Sequence, residues 1–336
     1  MKLFQGKLPH WLLERILGDI KISNTNVLVG PRIGYDSAVI DIGEKYLVIS
    51  TDPAGFIPES IPIEYFAFGT VHWSASDVAV FGAKPMYMLY DILFPTNIDS
   101  FYVEKIMKQI QLEAAAINIS IIGGHSGVYK NITSPVSTST CFGLVNKDGI
   151  ILPSGIESGD KIILTKFLGL EFVVAMSYEK EDTLSDLIGS SLTKKFKSMY
   201  RLLTVVDEAK ILSESKLVKA MHDVTEGGLS TALYELSKIN NLGFRIYEEA
   251  MTPPEEVEVV LEHFKVDKLS VSNTGSLIAI VSKDHADEVL KLLINHGIQA
   301  CVIGEFGGRD RVYVTKKGEE VSLEVTVRDD YARIFE

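Results

Sequence analysis

A nearly uncharged stretch at residues 69–85 constrains the fold of this 336-residue sequence more than any other segment. Its apolar and small side chains recur at helical spacing and run into a Gly-Ala-Lys-Pro turn, which predicts the last turns of a helix and its stop. Asp77 is the one carboxylate in this stretch, and Ser74 and Ser76 lie beside it. An ionised carboxylate among apolar neighbours needs a partner, and a bound cation would be one. The alternative is a polar residue at a helix end that faces solvent.

Two more aspartates occupy comparable positions upstream. Asp36 ends a polar segment broken by glycine and proline, and Asp52 follows Thr51 at the predicted C-terminal end of a strand at 45–50. Three carboxylates with hydroxyl neighbours supply hard oxygen ligands, which suit Mg²⁺ bound together with substrate phosphates. Three unrelated turn or cap aspartates remain the alternative. Zinc is disfavoured because the 7 histidines are scattered and the two cysteines form no ligand pair.

The order of predicted elements indicates an α+β protein. Turn-forming residues cluster at 153–160, and we expect two domains, 1–152 and 153–336. In the first we predict helices at 8–17 and 101–117 and strands at 37–41, 45–50, 86–93, 119–122 and 135–144. In the second we predict strands at 161–165, 217–221, 242–246, 276–281, 298–303, 311–315 and 321–327 and helices at 169–178, 200–213, 254–264 and 284–296, with one more from about Leu229.

Composition excludes several classes of function. The formal charge of −12 argues against general binding to nucleic acid or to anionic membranes. No apolar run approaches the ~20 residues of a membrane span, and we expect a cytoplasmic protein. Cys141 and Cys301 fall in apolar strand-like segments, where we expect buried, reduced thiols.

Two glycine pairs follow predicted buried strands. Gly123-Gly124-His125 is expected at the exit of the strand 119–122, where His125 could act as a general acid or base or only stabilise a turn. The segment from Asp223 through Thr225 to Gly227-Gly228 opens a helix whose free N–H groups could receive an anion. The alternative for the second pair is an ordinary capped helix start.

Six motifs, in this order, resemble one superfamily of enzymes. It contains aminoimidazole ribonucleotide (AIR) synthetase, selenophosphate synthetase, thiamine-monophosphate kinase and the hydrogenase-maturation protein HypE. The motifs are Gly-Tyr-Asp-Ser-Ala (34–38), Ser-Thr-Asp (50–52), Ser-Asp-Val-Ala-Val-Phe-Gly-Ala-Lys-Pro (76–85), Gly-Gly-His-Ser (123–126), Gly-Asp-Lys-Ile-Ile-Leu-Thr-Lys (159–166) and His-Asp-Val-Thr-Glu-Gly-Gly-Leu (222–229). Gly-Lys-Leu-Pro at 6–9 and Pro-Pro-Glu-Glu-Val at 253–257 are most similar to the HypE branch.

The resemblance implies a two-domain PurM-like fold. Its N-terminal domain would hold ATP and Mg²⁺ and form a homodimer through a ferredoxin-like sheet with helices, and its C-terminal domain would be mixed α/β. The family pattern puts the metal ligands at Asp36, Asp52 and Asp77 and catalytic roles at Asp77 and His125. The expected nucleotide contacts are Gly34, Thr51, Gly123, Gly124, Lys166, Asp223, Thr225, Gly227 and Gly228.

The expected activity is transfer of phosphate from ATP, assisted by Mg²⁺, to an amide-like or carbamoyl oxygen, and the expected setting is the maturation of hydrogenase or another metallocentre. HypE carries its carbamoyl group on a C-terminal cysteine, whereas this sequence ends Arg333-Ile334-Phe335-Glu336. We therefore expect a separate substrate, either a small molecule or a group carried by a partner protein. Two alternatives are a small-molecule phosphotransferase similar to thiamine-monophosphate kinase and a non-catalytic nucleotide-binding regulatory dimer. Departures from the family pattern at Ser76, His125 and Glu226 favour the second alternative.

Overall fold

A computed structural model describes residues 3, 6–56 and 60–334, without the side chains of residues 55 and 56. Its helices are α1 (His10–Gly18), α2 (Ile63–Val80), α3 (Ser100–Ala116), α4 (Leu170–Glu179), α5 (Glu181–Ile188), α6 (Ser190–Ser198), α7 (Val206–Ser215), α8 (Gly228–Asn240), α9 (Glu255–Phe264), α10 (Ala286–Asn295) and α11 (Asp330–Ile334). Its strands are β1 (Val27–Val29), β2 (Ala38–Asp41), β3 (Lys45–Phe56), β4 (Lys84–Pro95), β5 (Ser120–Tyr129), β6 (Val136–Asn146), β7 (Lys161–Thr165), β8 (Val218–Val224), β9 (Phe244–Tyr247), β10 (Ser276–Val281), β11 (Ala300–Phe306), β12 (Arg311–Val314) and β13 (Glu320–Ser322).

These elements form two compact units, each built on one sheet. The six-stranded unit comprises Asn24–Gly30 and Asp36–Ile150, with strand order β1-β2-β3-β6-β4-β5. The seven-stranded unit comprises Met1–Ser23, Pro31–Tyr35 and Ile151–Glu336, with order β13-β12-β9-β11-β7-β10-β8. The predicted mixed architecture with two sheets is confirmed.

Helix α2 packs on one face of the six-stranded sheet through small and hydroxyl side chains. Thr70 Oγ1 lies 2.7 Å from Ser137 Oγ, and Ser74 Oγ lies 2.7 Å from Ser139 Oγ. These hydroxyl pairs satisfy buried polar atoms across the contact between α2 and β6, and the small side chains allow the helix to approach the sheet closely. This face, with α2 and α3 against it, contains the buried core of the unit, which includes Val48, Met88 and Ile106.

Two predicted strand ends are wrong, and both affect the candidate site. Strand β3 continues to Phe56, and β5 extends from Ser120 to Tyr129. Both extensions are paired: Thr51 and Asp52 are opposite Thr140 and Ser139 of β6, and β5 pairs in parallel with β4 along its length. Asp52 therefore lies within a strand, as do the Gly123-Gly124 pair and His125.

The seven-stranded unit follows its predicted element order with local differences. The strand at 161–165 and the strand at 276–281 are found as predicted. Helices α5 and α6 were not predicted, α7 begins at Val206 instead of near residue 200, and β13 covers only three residues of the strand expected at 321–327. Among the helices of the described ranges, none has both the length and the hydrophobicity that crossing a membrane requires.

Candidate functional site

Ser50 links two of the three aspartates predicted to bind a metal. Its hydroxyl donates to Asp77 Oδ2 across 2.6 Å and lies 3.0 Å from the main-chain carbonyl oxygen of Asp36. Ser37, which follows Asp36 in the sequence, donates from Oγ to the main-chain carbonyl of Asp77 at 3.0 Å. Asp36, at the entry to β2, and Asp77, in the last turn of α2, are therefore held together through β3.

Asp52 lies on the same face of β3 as Ser50, because alternate residues of a strand face the same way. Its partner across the sheet, Ser139, bonds Ser74, which precedes Asp77 by one turn of α2. Thr51 is on the opposite face, where its Oγ1 lies 2.9 Å from Thr140 Oγ1. Asp52 therefore faces the side of the sheet on which Ser50 and α2 lie, whereas Thr51 faces the other side.

The three predicted metal ligands offer the kind of donor atom that a hard divalent cation prefers. Asp36, Asp52 and Asp77 are only partly buried, and their atoms available to a cation are carboxylate oxygens. The negative charge of Asp77 also affects its neighbour Cys141. Burial, and then the charge of Asp77, raise the pKa of the Cys141 thiol to about 12. A bound cation would offset this charge, and Asp77 with Asp36 and Asp52 could supply oxygen ligands to it.

The Gly123-Gly124 pair and His125 lie on β5, the edge strand of the six-stranded sheet. A Cβ atom at Gly124 would lie 1.9 Å from the main-chain oxygen of Tyr90, so the close approach of β4 by itself requires glycine. His125 is exposed, and its Nε2 lies 2.8 Å from Tyr129 Oη. Strand pairing therefore accounts for Gly124 without a phosphate, whereas His125 presents an accessible proton donor or acceptor.

Two main-chain N–H groups of the turn from Asp223 to Gly228 already have hydrogen-bond acceptors within the chain. Asp329 Oδ2 accepts the N–H of Gly227 at 2.8 Å, and the carbonyl of Thr225 accepts the N–H of Gly228 at 3.0 Å. A Cβ at Gly228 would lie 2.5 Å from the main-chain oxygen of Val271. The expectation of free N–H groups therefore needs correction at these two positions, because an internal carboxylate and a carbonyl accept them.

Two other predicted nucleotide contacts, Gly34 and Lys166, lie in the seven-stranded unit. Gly34 packs against α8, where an added Cβ would lie 2.7 Å from Ile239 Cδ1. The ammonium of Lys166 pairs with Glu208 and donates to the carbonyls of Thr204 at 2.8 Å and Gly275 at 2.6 Å. Because an ammonium has three donors, these contacts favour a structural role for Lys166.

A cavity of about 80 Å³ lies beside the Gly227 turn. Its lining includes Lys7, Glu226, Thr231 and Asp329. Burial raises the pKa of Glu226, although the charge and main-chain N–H of Lys7 act in the opposite direction. Thr231 is 4% exposed, and its Oγ1 has no hydrogen-bond partner among the described residues. The rest of the lining is mainly apolar and includes Leu8, Trp11 and Val327, so the cavity would accommodate a few heavy atoms that combine apolar surface with a hydrogen-bonding group.

Sequence reasoning missed several residues that organise these sites. Ser50 could have been found, because strand alternation puts it on the same face as Asp52. Asp329 could not, because it reaches Gly227 over 102 positions of the sequence and follows no motif. Glu235, which accepts a hydrogen bond from His10 at 2.7 Å, gave only the weak signal of the one acidic residue in α8.

Comparison with known sequences places relatives along nearly the whole chain. A hydrogenase expression/formation protein of Methanocaldococcus jannaschii is 28% identical over 325 residues, which cover 96% of this chain and 92% of the relative. The carbamoyl dehydratase HypE of Rhizobium leguminosarum bv. viciae is 27% identical over 290 residues, which cover 84% of this chain and 80% of the relative.

Solved structures share the fold at lower identity. The structure of a HypE–HypF complex matches with a TM-score of 0.75 at 20% identity, covering 94% of this chain and 99% of the other. HypE in complex with ATP matches with a TM-score of 0.74 at 20% identity, covering 94% and 91%. Residues 34–145 match the family model for the N-terminal domain of AIR synthase related proteins, and residues 157–317 match the model for the C-terminal domain. The two matches together span most of the sequence, and the chain belongs to the AIR synthase related family.

Proposed function

We propose that this protein is a HypE-like enzyme that uses ATP and Mg²⁺ to transfer a phosphoryl group to the oxygen of a carbamoyl or similar amide group. The product would be the dehydrated group, a nitrile, together with ADP and inorganic phosphate. We further propose a role in the maturation of hydrogenase or another metallocentre, because the relatives in family and sequence include proteins named for that process.

The observation that carries the proposal is the pair of hydrogen bonds of Ser50, which join the carboxylate of Asp77 to the main chain of Asp36. Magnesium would neutralise charge on the transferred phosphoryl group, and ATP would supply that group. The three carboxylates would bind the cation, and the Ser50 hydroxyl fixes the orientation of Asp77 at 2.6 Å. A carboxylate held in this way loses little side-chain entropy when it binds a ligand.

Every atom that the acceptor loses in the proposed reaction appears in a product. The carbamoyl oxygen attacks the γ-phosphorus, and the bond from that phosphorus to the bridging oxygen of ADP breaks. The C–O bond then breaks, the oxygen leaves with inorganic phosphate, and the nitrogen loses both of its protons. We propose His125 as a group that exchanges one of these protons, since it is exposed and its Nε2 is 2.8 Å from Tyr129 Oη.

We propose that the acceptor group is not carried by either cysteine of this sequence. Burial raises the pKa of Cys301, and burial with the charge of Asp77 raises that of Cys141 to about 12. A thiol that stays protonated is a poor nucleophile. The substrate would then be a small molecule or a group on a partner protein.

We also propose a homodimer formed through the six-stranded sheet. The face of this sheet opposite α2 has apolar side chains that the register aligns in rows across β3, β6 and β4. They are Leu47, Ile49, Tyr87, Leu89, Phe142 and Leu144, all partly or largely exposed. Covering a continuous apolar surface of this kind favours association.

Isothermal titration with Mg²⁺ and ATP, followed by identification of the phosphorus products, tests the proposal. We expect magnesium-dependent ATP binding and release of inorganic phosphate when a carbamoyl compound is present. A stable phosphorylated organic product would instead support a phosphotransferase. Binding without turnover would support the regulatory alternative.

A further inference from the structure

Glu235 of α8 is a buried carboxylate shared by two histidines. Its side chain is 3% exposed; Oε1 lies 2.7 Å from His10 Nε2, and Oε2 lies 3.1 Å from His222 Nε2. The ammonium of Lys7 lies 3.8 Å from Oε1. Burial alone would raise the pKa of Glu235, but the charge of Lys7 and the bonds from the two histidines outweigh it and hold the pKa far below its ordinary value. Glu235 is therefore an ionised acceptor.

The second nitrogen of His222 is held as firmly as the first. Nδ1 lies 2.7 Å from the main-chain carbonyl oxygen of Asp223, which can only accept a hydrogen bond. Ionised Glu235, at Nε2, is also an acceptor, so an acceptor faces each ring nitrogen. The ring is fixed between the carboxylate and the main chain, so Glu235 sets the path of the chain at Asp223, where the Asp223–Gly228 turn begins.

The other oxygen of Glu235 fixes the segment that contains Lys7 and α1. No residue of helix α1 is fully buried, and Leu12, Leu13 and Leu17 are only partly buried, so polar contacts contribute to holding the helix in place. Its polar contacts with α8 are His10 to Glu235 and the ion pair of Glu14 with Lys238. One carboxylate thus connects the position of α1 to the geometry of the Asp223–Gly228 turn.

We infer that Glu235 is a positioning residue, which orients the Asp223–Gly228 turn through His222 and couples it to α1 through His10. This inference rests on the proposed function and on the expectation from the sequence that the Asp223–Gly228 turn contacts the nucleotide. Glu235 itself would contact neither nucleotide nor acceptor. Its removal should therefore lower the rate of turnover more than the affinity for ATP.

The principal variant is Glu235→Gln, which keeps the size of the side chain but puts an amide where two N–H donors need an ionised acceptor. We expect kcat for phosphate release to fall at least about tenfold, with a smaller change in the dissociation constant of ATP. The hydrogen-bonded imidazole N–H signals of His222 in the NMR spectrum should also disappear. Amides of α1 should exchange with solvent faster than in the wild type.

Asp160→Asn is the matched control. Asp160 is also buried, at 4% exposed, and accepts hydrogen bonds from Lys219 Nζ at 2.9 Å and from the N–H of Glu157 at 2.8 Å. This variant should lower the melting temperature while kcat and the His222 signals stay as in the wild type. If it lowers kcat as much as Glu235→Gln does, the effect of Glu235 is general destabilisation and the inference is wrong.

His10→Gln keeps the inference testable if Glu235→Gln does not fold, because it leaves the contact with His222 intact. It should speed exchange of the α1 amides and reduce kcat less than Glu235→Gln. Unchanged exchange would refute the coupling to α1, and a wild-type kcat in Glu235→Gln would refute positioning. A wild-type protein that binds no ATP would refute the proposed function, and the positioning role with it.

Discussion

Among single residues, Asp77 offers the most direct test of the proposed metal site. Asp77→Asn keeps an oxygen that can accept the hydroxyl of Ser50, so the fold should survive. Loss of one ligand charge should weaken binding of ATP in the presence of magnesium by about 1–3 kcal/mol. Isothermal titration with and without Mg²⁺ measures the difference.

Asp41→Asn is the matched control for this prediction. Asp41 is also a carboxylate of the six-stranded sheet, but it lies at the end of β2, where its partner is Lys147 at 2.6 Å. Its replacement should leave magnesium-dependent affinity unchanged. The three aspartates do not share a cation if Asp77→Asn binds ATP as tightly as the wild type, or if Asp41→Asn weakens binding equally.

Cys141 should be nearly inert toward alkylating reagents in the folded protein. Its side chain is fully buried, and burial together with the charge of Asp77 raises its pKa to about 12, so very little thiolate exists at pH 8. Mass spectrometry after iodoacetamide treatment should find Cys141 unlabelled in the native protein and labelled in denaturant. Rapid native labelling would contradict the buried environment and reopen Cys141 as an acceptor.

Glu171 should make stability depend on pH in a defined window. Burial raises its pKa to about 7, the charge of Asp329 adds to this, and the N–H of Thr274, at 2.8 Å, acts in the opposite direction. A carboxyl whose folded pKa lies above the unfolded value favours folding when protonated. Its contribution is complete below about pH 4.5 and is lost as the pH rises through about 7.

Glu171→Gln removes this titration while keeping an acceptor for Thr274. The melting temperature of the variant relative to the wild type should rise from about pH 4.5 to 7 and then level off. Over this range the free energy of unfolding of the variant should increase relative to that of the wild type by at most about 3 kcal/mol. The exposed substitution Glu256→Gln should give no such slope. A constant difference between Glu171→Gln and the wild type at all pH values would contradict the raised pKa.

The three predicted metal ligands remain a prediction from residue type. Asp36, Asp52 and Asp77 stand out in sequence because carboxylates in apolar surroundings need partners, and the structure adds the hydrogen bonds of Ser50 to Asp77 and to the main chain of Asp36. Thr51 points away because of strand alternation, and Lys166 pairs with Glu208, over 40 positions away. Long-range partners of this kind leave no local pattern in a sequence.

Among the elements, β5 was predicted to end too early because it contains a glycine pair. Glycine pairs commonly end a strand, yet β5 continues through Gly123 and Gly124 because β4 approaches too closely for a side chain. Strand β3 likewise extends past Pro53, with a register shift that absorbs the irregularity. Local propensity cannot show this, because the partner strand supplies the hydrogen bonds.

The exposed face of the six-stranded sheet predicts a homodimer with an interface above about 1,000 Å². Tyr87 is 39% exposed in the middle of this face. Tyr87→Glu should convert a dimer to a monomer in light scattering at micromolar concentration without loss of fold, because it puts a charge into an apolar interface.

Ile294→Glu, at an exposed position of α10 in the seven-stranded unit, is the control for that experiment. It should remain dimeric. A wild-type protein that is monomeric at micromolar concentration, or a Tyr87→Glu variant that stays dimeric, would refute association through this face.

At the scale of the whole molecule, the α+β class and the order of most elements follow from periodicity and turn residues. The division of the chain into two units does not follow from these patterns. Asn24–Gly30 adds β1 to the six-stranded sheet, whereas the flanking segments Met1–Ser23 and Pro31–Tyr35 belong to the other unit. The parallel pairing of β12 with β9 joins strands that are not consecutive. Such assembly depends on contacts between distant residues, which one sequence does not display.

The most direct test of the proposed function is to follow the acceptor oxygen. The protein would be incubated with Mg²⁺, ATP and an S-carbamoyl cysteine peptide whose carbonyl oxygen is ¹⁸O, and the phosphate would be analysed by ³¹P NMR. We predict that the ¹⁸O appears in inorganic phosphate and that the peptide becomes a thiocyanate. Release of phosphate without ¹⁸O, or retention of the phosphoryl group on an organic product, would contradict the proposed function.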